Sequence, residues 1–187
     1  VKKNGFYILA GSFAVLALSG YLFKEKIKTQ FKSKLNDKTK LDFINRIAPS
    51  ANSIGKSIGV PPLFIIAQLA LESAWGRSSL TSKYNNFGGI KAVGNQRSVV
   101  LPTKECKNGI CKSVYQAFAV YPNVTEGLKA QAKIYQNRNF RKYLNKTSDP
   151  MQYAKLLQSK QPRYATALNY LPVIQSTLQE VKRLKTA

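Results

Sequence analysis

Apolar residues recur at helical spacing in two adjacent stretches. Phe43, Ile44, Ile47, Ala51, Ile54 and Ile58 fall three or four residues apart, with Pro49 expected to interrupt the segment and Gly59 to end it. Val60-Pro61-Pro62 then opens a second helix whose apolar stripe is Leu63, Ile66, Ala67, Ala70, Leu71 and Ala74, terminating near Gly76. Residues 78–84 read as a short helix, and Asn85-Asn86-Phe87-Gly88-Gly89-Ile90-Lys91 as a tight glycine turn. The pattern changes over residues 98–103 and 110–121, where β-branched and aromatic residues dominate. Asn108-Gly109 between them is a strong two-residue hairpin signal, which sets Lys107 against Ile110 and Cys106 against Cys111. Helical periodicity resumes at 124–136, 139–145, 150–158 and roughly 166–184, with Pro172 kinking or restarting the last helix. Helices, one small antiparallel β lobe, then helices again predict a mainly helical α+β domain.

The front of the chain is different. Residues 5–23 carry no charge and are flanked by Lys2 and Lys3 on one side and Lys24-Glu25-Lys26-Ile27-Lys28 on the other. A helix of that length just spans a bilayer. The alternative is a cleaved signal peptide with Ala17-Leu18-Ser19 at the cleavage site, but Tyr21-Leu22-Phe23 carries the apolar run past it and favours a retained anchor. Three parts are expected: a transmembrane anchor over 1–23, a basic stalk over 24–40, and a catalytic domain over 41–187.

Charge narrows the partners. A formal net charge of +22 implies attraction to a polyanion: nucleic acid, an anionic membrane surface, or a wall carrying acidic polymers. Lys24, Lys26, Lys28, Lys32 and Lys34 outweigh Lys2 and Lys3, which by the positive-inside rule favours a cytoplasmic domain. The cysteines point the other way. Cys106 and Cys111 occupy a cross-strand position that suits a disulfide, and a disulfide implies an oxidising compartment; two free thiols are the alternative. Two thiols in a chain with no histidine cannot complete a tetrahedral metal set, so neither a metal nor another cofactor is expected.

The acids single out the chemistry. Glu25 and Asp37 lie among lysines, Asp42 and Asp149 read as helix starts, Asn123 with Glu126 resembles a capping box, and Glu180 belongs to the polar face of the last helix. Glu72 and Glu105 remain. Glu72 lies near the end of an otherwise apolar helix, where partial desolvation and the negative end of the helix dipole would both favour its protonated form, as a general acid requires. The absence of histidine excludes zinc amidases, zinc endopeptidases and cysteine peptidases with a histidine base.

The words around Glu72 are specific. The run from Leu63 to Gly76, with Ala67-Gln68-Leu69-Ala70-Leu71-Glu72-Ser73-Ala74-Trp75-Gly76 at its centre, is followed by Asn85-Asn86-Phe87-Gly88-Gly89-Ile90-Lys91 and by looser matches at Thr103-Lys104-Glu105, residues 118–121, Asp149-Pro150 and Tyr164-Ala165-Thr166. In these the chain resembles the bacterial endo-β-N-acetylglucosaminidases of the flagellar peptidoglycan-hydrolase type, from about Leu41 to Leu184. The resemblance implies a lysozyme-like fold that hydrolyses the peptidoglycan glycan strand after N-acetylglucosamine. It assigns Glu72 as general acid, Glu105 in a mobile β lobe as second carboxylate, and Tyr164 as the aromatic hydroxyl near the reacting sugar. Gln68, Trp75, Tyr84, Asn86, Phe87 and Tyr121 are the candidate substrate contacts. Two departures stand out: Ala167 and Leu168 replace the Asp-Pro that commonly follows Tyr-Ala-Thr, and the double glycine Gly88-Gly89 shifts the phenylalanine-glycine-isoleucine spacing by one.

The expected partners are peptidoglycan glycan strands, a lipid bilayer through residues 5–23, and an anionic wall or membrane surface, with no specific nucleic acid. The domain is expected in the periplasm or cell envelope, or in a virion membrane. The rivals are a lytic transglycosylase or muramidase on the same fold, and a non-catalytic, membrane-anchored basic binding protein.

Overall fold

The computed structural model describes residues 9–107, 110–159, 164–165 and 169–186, with side chains from residue 33 onward except at 104–107 and 110–111. Two units result, Val1–Thr39 and Lys40–Ala187. Helix α1, Leu9–Ile58, begins in the first and supplies the opening helix of the second. Among the described residues no helix is long and apolar enough to cross a membrane. The span expected over 5–23 starts outside the described residues, and the side chains of its helical part lie outside them too.

Pro49 does not interrupt α1, and Asp42 is not at its start; both lie inside the helix. An interior proline loses one helical hydrogen bond and costs roughly 3 kcal/mol. The helix persists because Phe43, Ile44, Ile47, Ala51 and Ile54 on both sides of Pro49 are buried on one face, while Pro49 itself is exposed. Gly59, at φ +73, ends it as expected.

Helix α2, Pro62–Glu72, follows directly. A single stripe was expected, but every residue from Phe64 to Ala70 is buried. The helix runs through the centre of the domain, between α5 (Pro150–Gln158) and α6 (Tyr170–Thr186), its main packing partners. It also stops four residues before Gly76, leaving Ala74 exposed. Phe64 anchors the core by edge contacts with Tyr135 at 6.0 Å and Tyr153 at 5.1 Å, geometry that adds about 0.5–1.5 kcal/mol per pair to area burial.

After α3, Ser79–Tyr84, come two antiparallel strands, β1 (Ser98–Lys107) and β2 (Ile110–Ala119). Their register sets Lys107 against Ile110, Cys106 against Cys111 and Glu105 against Lys112. The cysteine backbones thus face each other as the hairpin signal requires; the turn at 108–109 and both cysteine side chains lie outside the described residues. Residues 90–92 add a short bridge to β2, through Lys91 and Phe118.

Helix α4, Val124–Gln136, and α5 begin and end where the sequence places them. Asn123 accepts from the Glu126 N–H at 3.0 Å, and Asp149 from the Gln152 N–H at 2.6 Å. The Glu126 carboxylate does not close the capping box and pairs with Lys129 at 2.8 Å instead. The helix expected over 139–145 contracts to a 3₁₀ turn, Arg141–Tyr143. Pro172 falls in the first turn of α6, where its missing N–H costs nothing.

Candidate active site

Glu72 is the last residue of α2 and the first to emerge from the core: Phe64 to Ala70 are buried and Glu72 is exposed. The burial expected among apolar neighbours is therefore not found, because the helix ends before another turn can enclose the side chain. What holds it is polar. The Gln68 side chain, one turn back, donates Nε2–H to Glu72 Oε1 at 2.8 Å, and its Oε1 accepts from the Tyr170 hydroxyl at 2.8 Å. Gln68 is fully buried, so it touches Glu72 and not a ligand.

The chain leaves α2 through an unusual turn. Ala74, Trp75 and Gly76 all have left-handed backbone, at φ 50, 59 and 76. For alanine and tryptophan this conformation is costly and is held by the surroundings. Ser73, fully buried, donates its hydroxyl to Leu69 O at 2.5 Å and accepts from the Gly76 N–H at 2.8 Å, while the Trp75 N–H reaches back to Ala70 O at 2.7 Å. Gly76 packs on Phe43, where any Cβ would stand 2.5 Å from the ring. Half-buried Trp75 meets Phe43 edge-on at 6.4 Å, with Lys40 Nζ 5.2 Å from its ring centre.

Tyr164 stands beside this acid. It stacks on Tyr135 at 5.9 Å, meets Phe140 edge-on at 5.6 Å and contacts Tyr170 at 6.0 Å. Burial pushes its hydroxyl up to about 12, partly offset by polar contact with the Tyr135 hydroxyl and reinforced by the nearby Glu72 carboxylate. Burial likewise raises Tyr170 and Tyr153, so all three hydroxyls remain protonated at neutral pH. Thr166, Ala167 and Leu168, where the sequence departs from the family pattern, lie outside the described residues.

Other expected contacts have structural duties. Asn86, nearly fully buried, donates Nδ2–H to Ile90 O at 2.8 Å and Ala119 O at 2.9 Å, and its Oδ1 accepts from the Ile90 N–H at 2.8 Å. It pins the glycine turn to the end of β2. Phe87 is buried in the core with Arg46 over its ring at 5.8 Å. The double glycine has a reason: Gly88 lies against the Gln131 carboxamide, 1.9 Å from where its Cβ would be, and Gly89 takes φ +62. Tyr84 and Tyr121 are half-buried, joined by the Tyr121 N–H to Tyr84 O bond at 3.0 Å. Desolvation raises the Tyr121 hydroxyl, against a lowering bond from Gln96. Glu105 sits on β1, and its side chain lies outside the described residues.

Sequence reasoning missed Tyr170 and Gln131. Gln131 was detectable, since it interrupts the α4 face formed by Leu128, Ala132 and Tyr135 and is itself buried. A cavity of about 380 Å³ lined by Lys56, Pro61, Pro62, Asn145 and Lys146, among others, lies at the opposite end of α2 and excludes Glu72.

The comparisons with known proteins agree with this geometry. Residues 48–183 match the family model Glucosaminidase, described as mannosyl-glycoprotein endo-β-N-acetylglucosaminidase. A probable N-acetylmuramidase of Lactococcus lactis is 37% identical over 99 residues, which cover 52% of this chain and 23% of that protein. The peptidoglycan hydrolase FlgJ of Salmonella typhimurium is 31% identical over 150 residues, covering 76% of this chain and 46% of FlgJ. The chain therefore spans less than half the length of these relatives. The solved C-terminally truncated glycoside hydrolase domain of the same FlgJ superimposes with a TM-score of 0.64 at 29% identity, over 77% of this chain and 98% of that domain.

Proposed function

The chain belongs to the glucosaminidase family, and on that premise we propose that it is a glycoside hydrolase cutting the glycan strand of peptidoglycan after N-acetylglucosamine. The observation that carries this reading is Glu72: a carboxylate placed where a buried helix meets solvent, with one oxygen already engaged by a buried amide. Such a group can reach a polymer and remain oriented while it protonates a glycosidic oxygen.

Once the leaving oxygen is protonated, positive charge develops on the sugar ring. Glu105 is the proposed second carboxylate, brought over the cleft by the β1–β2 hairpin; the N-acetyl group of the substrate is the alternative stabiliser. Tyr164, uncharged and close to Glu72, supplies a hydroxyl donor to the reacting sugar. The +22 charge draws the enzyme to acidic wall polymers, which fits a site of action in the cell envelope.

Cleavage after N-acetylmuramic acid is the second reading, favoured by the name of the Lactococcus relative. Analysis of the sugar ends released from purified peptidoglycan separates the two. New reducing N-acetylglucosamine supports the proposal; reducing N-acetylmuramic acid supports the second reading, and a 1,6-anhydro end overturns hydrolysis altogether.

A further inference from the structure

Gln68 lies fully buried in an apolar helix, an expensive position for a carboxamide unless both of its ends are bonded. Both are, and by groups of different kinds. Its carbonyl oxygen accepts from Tyr170 at the start of α6, 102 residues away in sequence, and its amide nitrogen donates to Glu72. We propose that Tyr170 and Gln68 are positioning residues for catalysis, a buried relay from α6 that selects which oxygen of Glu72 delivers the proton. The proposal rests on the glycoside hydrolase reading and deepens it.

The argument turns on what each group can do. The Glu72 carboxylate only accepts, so it turns the Gln68 NH₂ toward itself, and the Tyr170 hydroxyl, able to serve either end of the amide, donates to the Oε1 that remains. An NH₂ group only donates, so Glu72 Oε1 is held as an acceptor and cannot carry the proton toward Gln68. The transferable proton then resides on Oε2, the oxygen not engaged by Gln68. The same bond restrains the end of a flexible glutamate side chain at the solvent-exposed terminus of its helix, lowering the ordering cost of the reactive geometry. Tyr170 hands its orienting role inward without touching substrate itself, being only 5% exposed.

The relay has a signature that packing alone lacks. Tyr170 acts on Glu72 only through Gln68, so once the Gln68 carboxamide is removed the Tyr170 hydroxyl has nothing left to orient. Substitutions at the two positions should therefore be non-additive in kcat.

The test uses the full chain and soluble glycan fragments, with kcat and KM measured for Gln68→Met, Tyr170→Phe, the double variant and Glu72→Gln. Gln68→Met keeps the volume of the buried side chain, and Tyr170→Phe removes one oxygen, so circular dichroism and melting establish that each variant is folded. The relay predicts a kcat lower by about tenfold for Gln68→Met, a smaller loss for Tyr170→Phe, KM within about twofold, and a double variant no slower than Gln68→Met alone. Losses that add in the folded double variant, or a Gln68→Met kcat equal to wild type, overturn the relay. If Glu72→Gln is as active as wild type, the hydrolase reading itself fails. If Glu72→Gln is inactive while Gln68→Met and Tyr170→Phe keep the wild-type kcat, only the relay fails.

Discussion

Glu180 on α6 binds Lys40 at 2.7 Å, tying the last helix of the domain to the residue at which its compact unit begins. Arg183, one turn on, adds a second hold at 2.8 Å. These bonds, that from Arg183 foremost, keep the Glu180 carboxyl down at about 2. A depressed folded-state value stabilises the protein above the unfolded value of about 4.5, and the benefit disappears as pH falls toward 2. With the partial exposure of the pair taken into account, the contribution is about 1 kcal/mol. Glu180→Gln should thus melt about 2–4 °C below wild type at pH 6. The gap should close between pH 4.5 and 2. Paired melting curves at several pH values check this, and a gap independent of pH would refute it.

Ala74 occupies left-handed backbone two residues beyond Glu72. That conformation costs an alanine roughly 1–2 kcal/mol, whereas glycine adopts it freely but loses about 0.4–1 kcal/mol through its more flexible unfolded chain. Ala74→Gly should stabilise the domain by about 0.5–1 kcal/mol. Gly76→Ala should do the reverse, by more than about 2 kcal/mol, because it adds both a left-handed penalty and a clash with Phe43. Urea denaturation of the two variants measures both.

Asn86 supplies two donors and one acceptor to the backbone of the glycine turn and β2. Asn86→Asp looks conservative, yet a carboxylate has no hydrogen to give, so it would face the carbonyls of Ile90 and Ala119 with like partial charge. A loss of about 3 kcal/mol is expected, larger than for Asn86→Ala. Hydrogen exchange should accelerate first at the amides of Ile90 and Ala119, and an aspartate variant as stable as the alanine one would contradict this account.

Tyr164→Phe removes a hydroxyl from a ring that keeps its stacking on Tyr135. If that hydroxyl serves the reacting sugar, kcat falls by about tenfold to a hundredfold while stability changes by less than about 1 kcal/mol. Because the hydroxyl ionises only at about 12, the wild-type profile should show no limb from Tyr164 below about pH 11. Steady-state kinetics beside a melting curve distinguishes this from a packing tyrosine, whose loss would lower the melting temperature and leave kcat intact.

The elements legible in the sequence are those with local stop and start signals. Asn123 and the Asp149-Pro150 pair mark α4 and α5 to the residue, and the register read from the Asn108-Gly109 signal, Cys106 against Cys111, is the one the strands adopt. Pro49 misleads because its local penalty is outweighed by burial on both sides, which no local signal conveys. In the site, Glu72 was legible as an acid near the end of an apolar helix. Gln68 was named as a candidate substrate contact; its true partners come from α6 and from the next turn of α2, and only the fold brings α6 there. The exposure of Glu72 was missed for the same reason, since the helix ends earlier than its apolar pattern does.

Trp75 is the only tryptophan in the chain and lies three residues from Glu72, against Phe43 and beneath the Lys40 ammonium. Selective excitation of this indole therefore reads the turn beside the acid with no background from elsewhere in the protein. A ligand that docks there, or a variant that loosens the turn, announces itself as a change in emission colour or quenching, giving a continuous optical signal where the proposed substrate is an insoluble mesh.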